Sequence, residues 1–353
     1  MNKVARKKQV REVHFEGPIW VGVDVHKSSY AVAVRDQEGR TVQFTMSADN
    51  AAFVRKIVSY GQPVAQVAYE AGPCGYSLYR ACEEAGITAL VAAPSRIPRP
   101  VTRGNKTDRL DCRKLADYAA RDMLVPVSVP TEAEEMFRSL QRRRHGLTDR
   151  IRSVKQFIKS LLLEYHIEEP HGLAKWSKAS VEALKRLALS ATLRDTLDSH
   201  LRELAYLEAE RHNVDQAIAN AAPQAVLQRM RVLRSVPGVG DVLSVTFASE
   251  IFRPERFADG DRLSSYVGLA PVVSQSGASA ATGSLVRTGQ QRLRSLLVEC
   301  AWMHKGRDAG AELLYRRILS RTGHAQKAIV AVARRLLTLL WRLCIEDRMY
   351  VAA

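Results

Sequence analysis

The 353-residue sequence has no uninterrupted apolar run of the ~18 residues that a membrane-spanning helix needs. Its nearest approach, AIVAVARRLLTLLWRLC, is broken by Arg334 and Arg335 and reads as an amphipathic helix packed on protein. The N-terminal stretch MNKVARKKQVREVHFEG is basic but lacks the apolar centre of a secretory signal. Cysteine is sparse and dispersed. Cys74, Cys82, Cys112, Cys300 and Cys344 form no closely spaced pair, which removes zinc-binding and dithiol redox motifs and suits reduced thiols in a bacterial cytoplasm. Acidic residues are in deficit as well. The 37 Asp and Glu stand against 53 Lys and Arg, a formal charge of +16, which favours a polyanionic partner, nucleic acid first. No internal repeat is present.

What the sequence does contain is enough apolar material, 46%, for more than one core. From Ile19 to Met46 the text alternates with period two, IWVGVDV, SYAVAVRD and TVQFTM, with DQEGR as a turn, which predicts three antiparallel strands. A helix around Asn50–Tyr60, the strand VAQVAYE, the helix GYSLYRACEEAG, the strand ITALVAA and a helix from Asp108 through LDCRKLADYAARDM complete a βββαβαβα order. Strands separated by helices are usually parallel neighbours, so the fold class is α/β with a mixed sheet, in the order of an RNase H-like fold.

After Thr131 strand signals give way to long helices. Leu147, Ile151, Val154, Ile158, Leu161 and Tyr165 keep a four-three spacing that predicts a coiled-coil seam. A second helix, about Thr192–Ala222, is placed either to return antiparallel or to pair with another subunit. Gln141–Ser160 carries seven Lys or Arg and one Asp, whereas Asp195–Asp215 carries six acids and two arginines. The basic helix, with Arg142, Arg143 and Arg144, is equally suited to lying on phosphates and to pairing with the acidic one. A further unit opens at VLRSVPGVGDVLSVTFASEI, passes through a Ser- and Gly-rich loop at 273–284 and ends in helices running to Cys344. The organisation expected is a basic tail (1–17), an α/β catalytic domain (18–127), a helical coiled-coil region (128–225) and a mainly helical C-terminal domain with a helix-hairpin-helix-like element (226–353).

Acids mark the first domain. Alternation sets Asp24 on the strand face opposite Val21 and Val23, Glu70 ends its strand where Gly72 and Pro73 turn the chain, and Asp108 and Asp111 share one face at a helix start. Converging carboxylates repel by roughly several kcal/mol unless a hard cation relieves them. Mg²⁺ or Mn²⁺, as a pair of ions, is the expected cofactor, because oxygen ligands with open positions serve phosphoryl transfer. The flanking SRIPRPVTRGNKTDRLDCR carries six Lys or Arg, among them Arg103, Lys106 and Arg109, beside the acids. Read singly, Asp108 is a helix cap and Asp111 a favourable first-turn acid. Acids for a metal beside bases for phosphates are what a nuclease needs.

The blocks GVDVHKSSYAVAV, YEAGPCGYSLYR, NKTDRLDCRKLA, VPGVGDVLSVTFASEI, LSSYVGLAPVVSQSG and GSLVRTGQQRLRSLLVECAW run in order over about residues 19–345. Together they resemble the DEDD-type insertion-sequence transposases of the IS one-ten group. The resemblance implies a RuvC-like domain whose metal-binding acids are Asp24, Glu70, Asp108 and Asp111, a coiled-coil dimerisation region, and a C-terminal domain with a nucleophilic serine. By motif that serine is Ser276, with Ser274 and Ser279 close by. It further implies a structured RNA bridging donor and target double-stranded DNA, recombination through a phosphoserine linkage, and a homo-oligomer, dimer or tetramer. The sequence departs from the family pattern after the serine, where Arg287 and Gln290 stand in place of the usual Lys and Asn.

Gly238 and Gly240 in VPGVGD would let backbone amides approach a phosphate, or serve an ordinary helix-to-helix turn. Arg287, Arg292 and Arg294 cluster ahead of a helix, suited to phosphates near Ser276 or to a solvated face. Two rivals stand beside a serine-plus-carboxylate recombinase: a two-metal junction nuclease in which Ser276 is inert, and a non-catalytic nucleic-acid scaffold.

Overall fold

A computed structural model describes residues 14–98, 108–276, 279–285 and 289–351, with backbone alone described at 108–110 and 272–284. Two compact units divide the chain, residues 1–129 and 130–353.

In the first unit β1 (Ile19–Val25), β2 (Ser29–Asp36), β3 (Thr41–Ser47), α1 (Asn50–Val58), β4 (Val64–Glu70), α2 (Ser77–Glu84), β5 (Ala89–Ala92) and α3 (Asp108–Ala120) follow the βββαβαβα order read from the sequence. The sheet order is β3-β2-β1-β4-β5, antiparallel among the first three strands and parallel across β1, β4 and β5. One face carries Val21, Val23, Val32, Val67 and Tyr69 beneath Phe53 and Ile57 of α1 and Leu78 and Cys82 of α2. The other face is built of small residues, Gly22, Ala31, Ala33 and Ala68, and it receives Cys112, Leu115, Ala116 and Ala119 of α3. Small side chains on that face let the helix axis settle close to the sheet.

The second unit comprises α4 (Glu132–Glu164), α5 (Lys178–Lys185), α6 (Ala191–Ala221), α7 (Gln224–Arg234), α8 (Asp241–Ile251), α9 (Gly260–Val267), β6 (Pro271–Ser276), β7 (Ser279–Leu285), α10 (Gln291–Lys305), α11 (Ala309–Thr322) and α12 (Ala325–Glu346). Thr131 and Glu134 form a capping box at the start of α4. Leu147, Ile151, Val154, Ile158 and Leu162 are buried against Leu197, Leu201, Leu204 and Leu207 of α6. The contacts Arg144–Asp215, Lys155–Glu208 and Phe157–His200 run in opposite chain directions, so α4 and α6 pair antiparallel within one chain. The expected seam slips at its end: Leu162 is buried where Leu161 is half-buried, and Tyr165 is exposed. A straight helix drifts from a 3.5-residue repeat, so the inward position after Ile158 comes four residues on, not three.

The apolar stretch near the C-terminus is α12, whose Val332, Leu336, Leu340 and Leu343 are buried in the core of this unit. Among the described residues, no helix is long and apolar enough to cross a membrane. The segment expected as a Ser- and Gly-rich loop pairs instead as an antiparallel hairpin, β6 with β7. Its small polar residues carry little intrinsic strand signal, and pairing overrides composition.

Candidate functional site

Asp24 sits two residues after Gly22 on β1, so both share the face that α3 covers. On β4, Ala68 lies under α3, which puts Glu70 on that same face. The parallel register pairs Val23 with Tyr69. One step further, Asp24 and Glu70 occupy neighbouring positions at the carboxyl end of adjacent parallel strands. Asp111 stands on the first turn of α3, next to Cys112, whose backbone oxygen lies against Gly22. Burial pushes the Cys112 thiol up to about 11, and the charges of Asp24 and Asp111 add to it. The fold thus brings Asp24, Glu70 and Asp111 to one end of one sheet face.

Asp24 and Asp111 are half-buried and already held. His26 Nε2 lies 3.3 Å from Asp24 Oδ2, and Lys114 Nζ lies 3.7 Å from Asp111 Oδ1. Glu70 is exposed at the strand end. Among the described residues no three acid, histidine or cysteine side chains are gathered closely enough to hold an ion. The side chains of Asp108 and Arg109 lie outside the described residues, as do Arg103, Lys106 and Arg287 entirely. In kind, the donors fit a hard divalent cation, since Asp24, Glu70 and Asp111 offer carboxylate oxygens alone.

In the second unit, Ser276 ends β6 and pairs with Ser279 of β7, while Ser274 pairs with Ala281. The side chains of all three serines lie outside the described residues. Gly238 has a left-handed φ of +90°, and a Cβ there would lie 2.8 Å from the His304 backbone nitrogen, so this glycine is required by packing against α10. His304 Nδ1 is 2.8 Å from Pro237 O in the same contact. Gly240 caps α8 with open space around it. Arg294 donates to Gly268 O at 3.3 Å, tying α10 to the end of α9.

The basic helix face is partly engaged inside the chain. Arg143 lies 3.5 Å from Glu210, Arg144 pairs with Asp215, and Arg142 lies 3.3 Å from Glu250. Two residues here escaped the sequence reading. His26, next to Asp24 in space, carries no signal beyond its place in DVHK. Glu250 looks like an ordinary helix acid until α8 is seen to be buried from Leu243 to Ile251.

Similarity to known proteins covers both units. The family model of the DEDD transposases of the IS110 type matches residues 21–167, and that of the transposase IS116/IS110/IS902 family matches residues 230–316. The chain is 30% identical to y4qE of Sinorhizobium fredii, to which a transposase activity is ascribed, over 93% of this chain and 89% of that one. It is 25% identical to the transposase for insertion sequence element IS1111A of Coxiella burnetii, over 94% and 90%. The transposase for IS1533 of Leptospira borgpetersenii is 23% identical over 85% and 89%.

Proposed function

The chain belongs to the IS110-type DEDD transposase family, and from that premise we propose that it cuts and rejoins DNA strands with two sets of groups, the acids of its first unit and Ser276 of its second. The observation that carries the reading is the placement of Asp24 and Glu70 at one end of adjacent parallel strands, beneath the start of α3 where Asp108 and Asp111 lie. The strand order and the position of α3 support an RNase H-like, RuvC-like domain over residues 18–127, followed by the helical region 128–225 and the domain 226–353.

Asp24, Glu70, Asp108 and Asp111 would hold one or two Mg²⁺ or Mn²⁺ ions. Such bound cations would supply Lewis-acid stabilisation of charge on a reacting phosphate. Asp24 is fixed in orientation by His26, and α3, seated on Gly22, sets the position of Asp111. The Ser276 hydroxyl attacks a backbone phosphorus, loses its proton, and displaces a deoxyribose oxygen as a free hydroxyl. That hydroxyl, or one from another strand, then attacks the phosphoserine and restores the serine. One phosphoester replaces another at each step, so no external energy source is required. Double-stranded donor and target DNA, a structured bridge RNA and a second or further copy of the chain are the partners, on the strength of the resemblance.

The test is strand exchange with the full chain and its element ends, scored together with a covalent protein–DNA adduct. Ser276→Ala is expected to lose both. Recombination by that variant would leave the acids acting alone, as in a metal-dependent junction nuclease, and would remove serine from the chemistry.

A further inference from the structure

The interior of the second unit holds an acid whose surroundings are more basic than its own charge requires. Glu250 is 3% exposed, and an isolated carboxylate at that depth is costly. Two arginines of α4 meet it. Arg138 Nε lies 3.5 Å from Oε2, and Arg142 approaches with Nε 3.3 Å from Oε1 and Nη2 3.4 Å from Oε2. Arg138 is spent there: its Nε also donates to Ser249 O at 3.2 Å, and its guanidinium lies over the Phe252 ring. Arg142 keeps 53% of its side chain exposed.

Arg292 stands on the first turn of α10, within electrostatic range of Glu250, Arg142 and Asp149. Its Nε is buried and has no hydrogen-bond partner among the described residues. Asp149 is engaged by Arg152 at 2.8 Å and His145 at 3.3 Å. Two guanidiniums therefore meet one buried carboxylate and a third stands within electrostatic range of it, with the Arg142 fork half exposed to solvent and the buried Arg292 Nε–H unspent. Such an arrangement attracts an anion with several acceptor oxygens, and guanidinium forks match a phosphodiester. In the chain, Arg292 comes seven residues after Leu285, the last residue of the β6–β7 hairpin that carries Ser276.

We propose that Arg142, held by the buried Glu250, and Arg292, from the first turn of α10, together seat a single backbone phosphate of the nucleic acid. This rests on the transposase reading for the presence of a nucleic acid, and not on the serine or metal chemistry. The test is binding of a labelled duplex by the full-length protein, as DNA in one arm and RNA in the other, across a salt series. Arg292→Ala and Arg142→Ala are each expected to weaken binding about three- to tenfold in the arm that supplies the phosphate. The slope of log affinity against log salt should shrink by about 0.9 in the double variant, the value for one phosphate and not two. Arg317→Ala, on the exposed face of α11, removes the same charge and is expected to have little effect. Circular dichroism melts confirm that each variant folds. Wild-type affinity and slope in both arms for the folded variants, or an equal loss in Arg317→Ala, would overturn the proposal. A wild-type protein that binds neither duplex would instead remove the nucleic-acid reading itself.

Discussion

At the scale of single residues, two glycines have opposite roles, and the contrast is measurable. A Cβ on Gly22 would stand 2.0 Å from Cys112 O and 2.4 Å from Ala116 N, both backbone atoms of α3 that cannot rotate away. Gly22→Ala must therefore lift α3 from β1, which moves Asp111 away from Asp24. The expected cost is about 2–3 kcal/mol, read as a lower denaturation midpoint at constant slope, together with loss of strand exchange. Unchanged stability would mean that α3 does not ride on this residue. Gly146, inside α4, has nothing within 4 Å of the point where a methyl group would stand. There Gly146→Ala should stabilise by about 0.8–1 kcal/mol through helix propensity, and a loss of stability would contradict the open space. Neither role can be read from the letters alone. Alternation places Gly22 on the face of Asp24, but how closely a helix approaches that face depends on Ala31, Ala33 and Ala68 from two other strands.

At the scale of elements, α11 shows how a cap depends on pH. Asp308 accepts from Ala311 N at 2.7 Å, and the Tyr350 hydroxyl donates to its other oxygen. Burial by itself raises the Asp308 carboxyl, but the hydrogen bonds from Tyr350 and Ala311 outweigh it and hold the group below its ordinary 3.8. A folded value below the unfolded one means stability that is present above pH 3.8 and lost as pH falls through the lower folded value. Tyr350→Phe should thus cost about 1 kcal/mol at pH 7, and the gap to wild type should close in acid. A gap that is constant with pH would show that the tyrosine acts through packing alone. Other elements differ in how plainly the sequence marks them. The first-unit strands are written in a period of two, because large residues face α1 and α2 while small ones face α3, and the α4–α6 pair in a period of three to four, because each helix buries one face. The β6–β7 hairpin is not, since PVVSQS and SAATGSL have the composition of a loop and only pairing makes them strands. Glu250 is hidden for a related reason: burial on all sides of α8 leaves no polar face against which an inward acid would stand out.

At the scale of the whole molecule, a net +16 and a carboxylate end of a sheet pull in different directions, and the proposed function assigns them to different tasks. Cationic surface gathers nucleic acid through counterion release, which depends on salt and not on divalent metal. The acids add nothing to that attraction, since Asp24, Glu70 and Asp111 repel phosphate until a cation stands between them. Binding and chemistry should therefore separate. Excess chelator is expected to abolish strand exchange while changing duplex affinity by no more than about twofold, whereas raising salt from about 50 to 200 mM should weaken binding by orders of magnitude if several phosphates are contacted. Asp24→Asn should copy the chelator's effect on exchange, and because it removes a negative charge it should leave binding equal or slightly tighter. Added Mn²⁺ or Mg²⁺ should restore exchange to the chelated wild type but not to Asp24→Asn. If chelation instead released the duplex, the acids would be holding nucleic acid rather than reacting on it, and the division of labour between charge and carboxylates would be wrong.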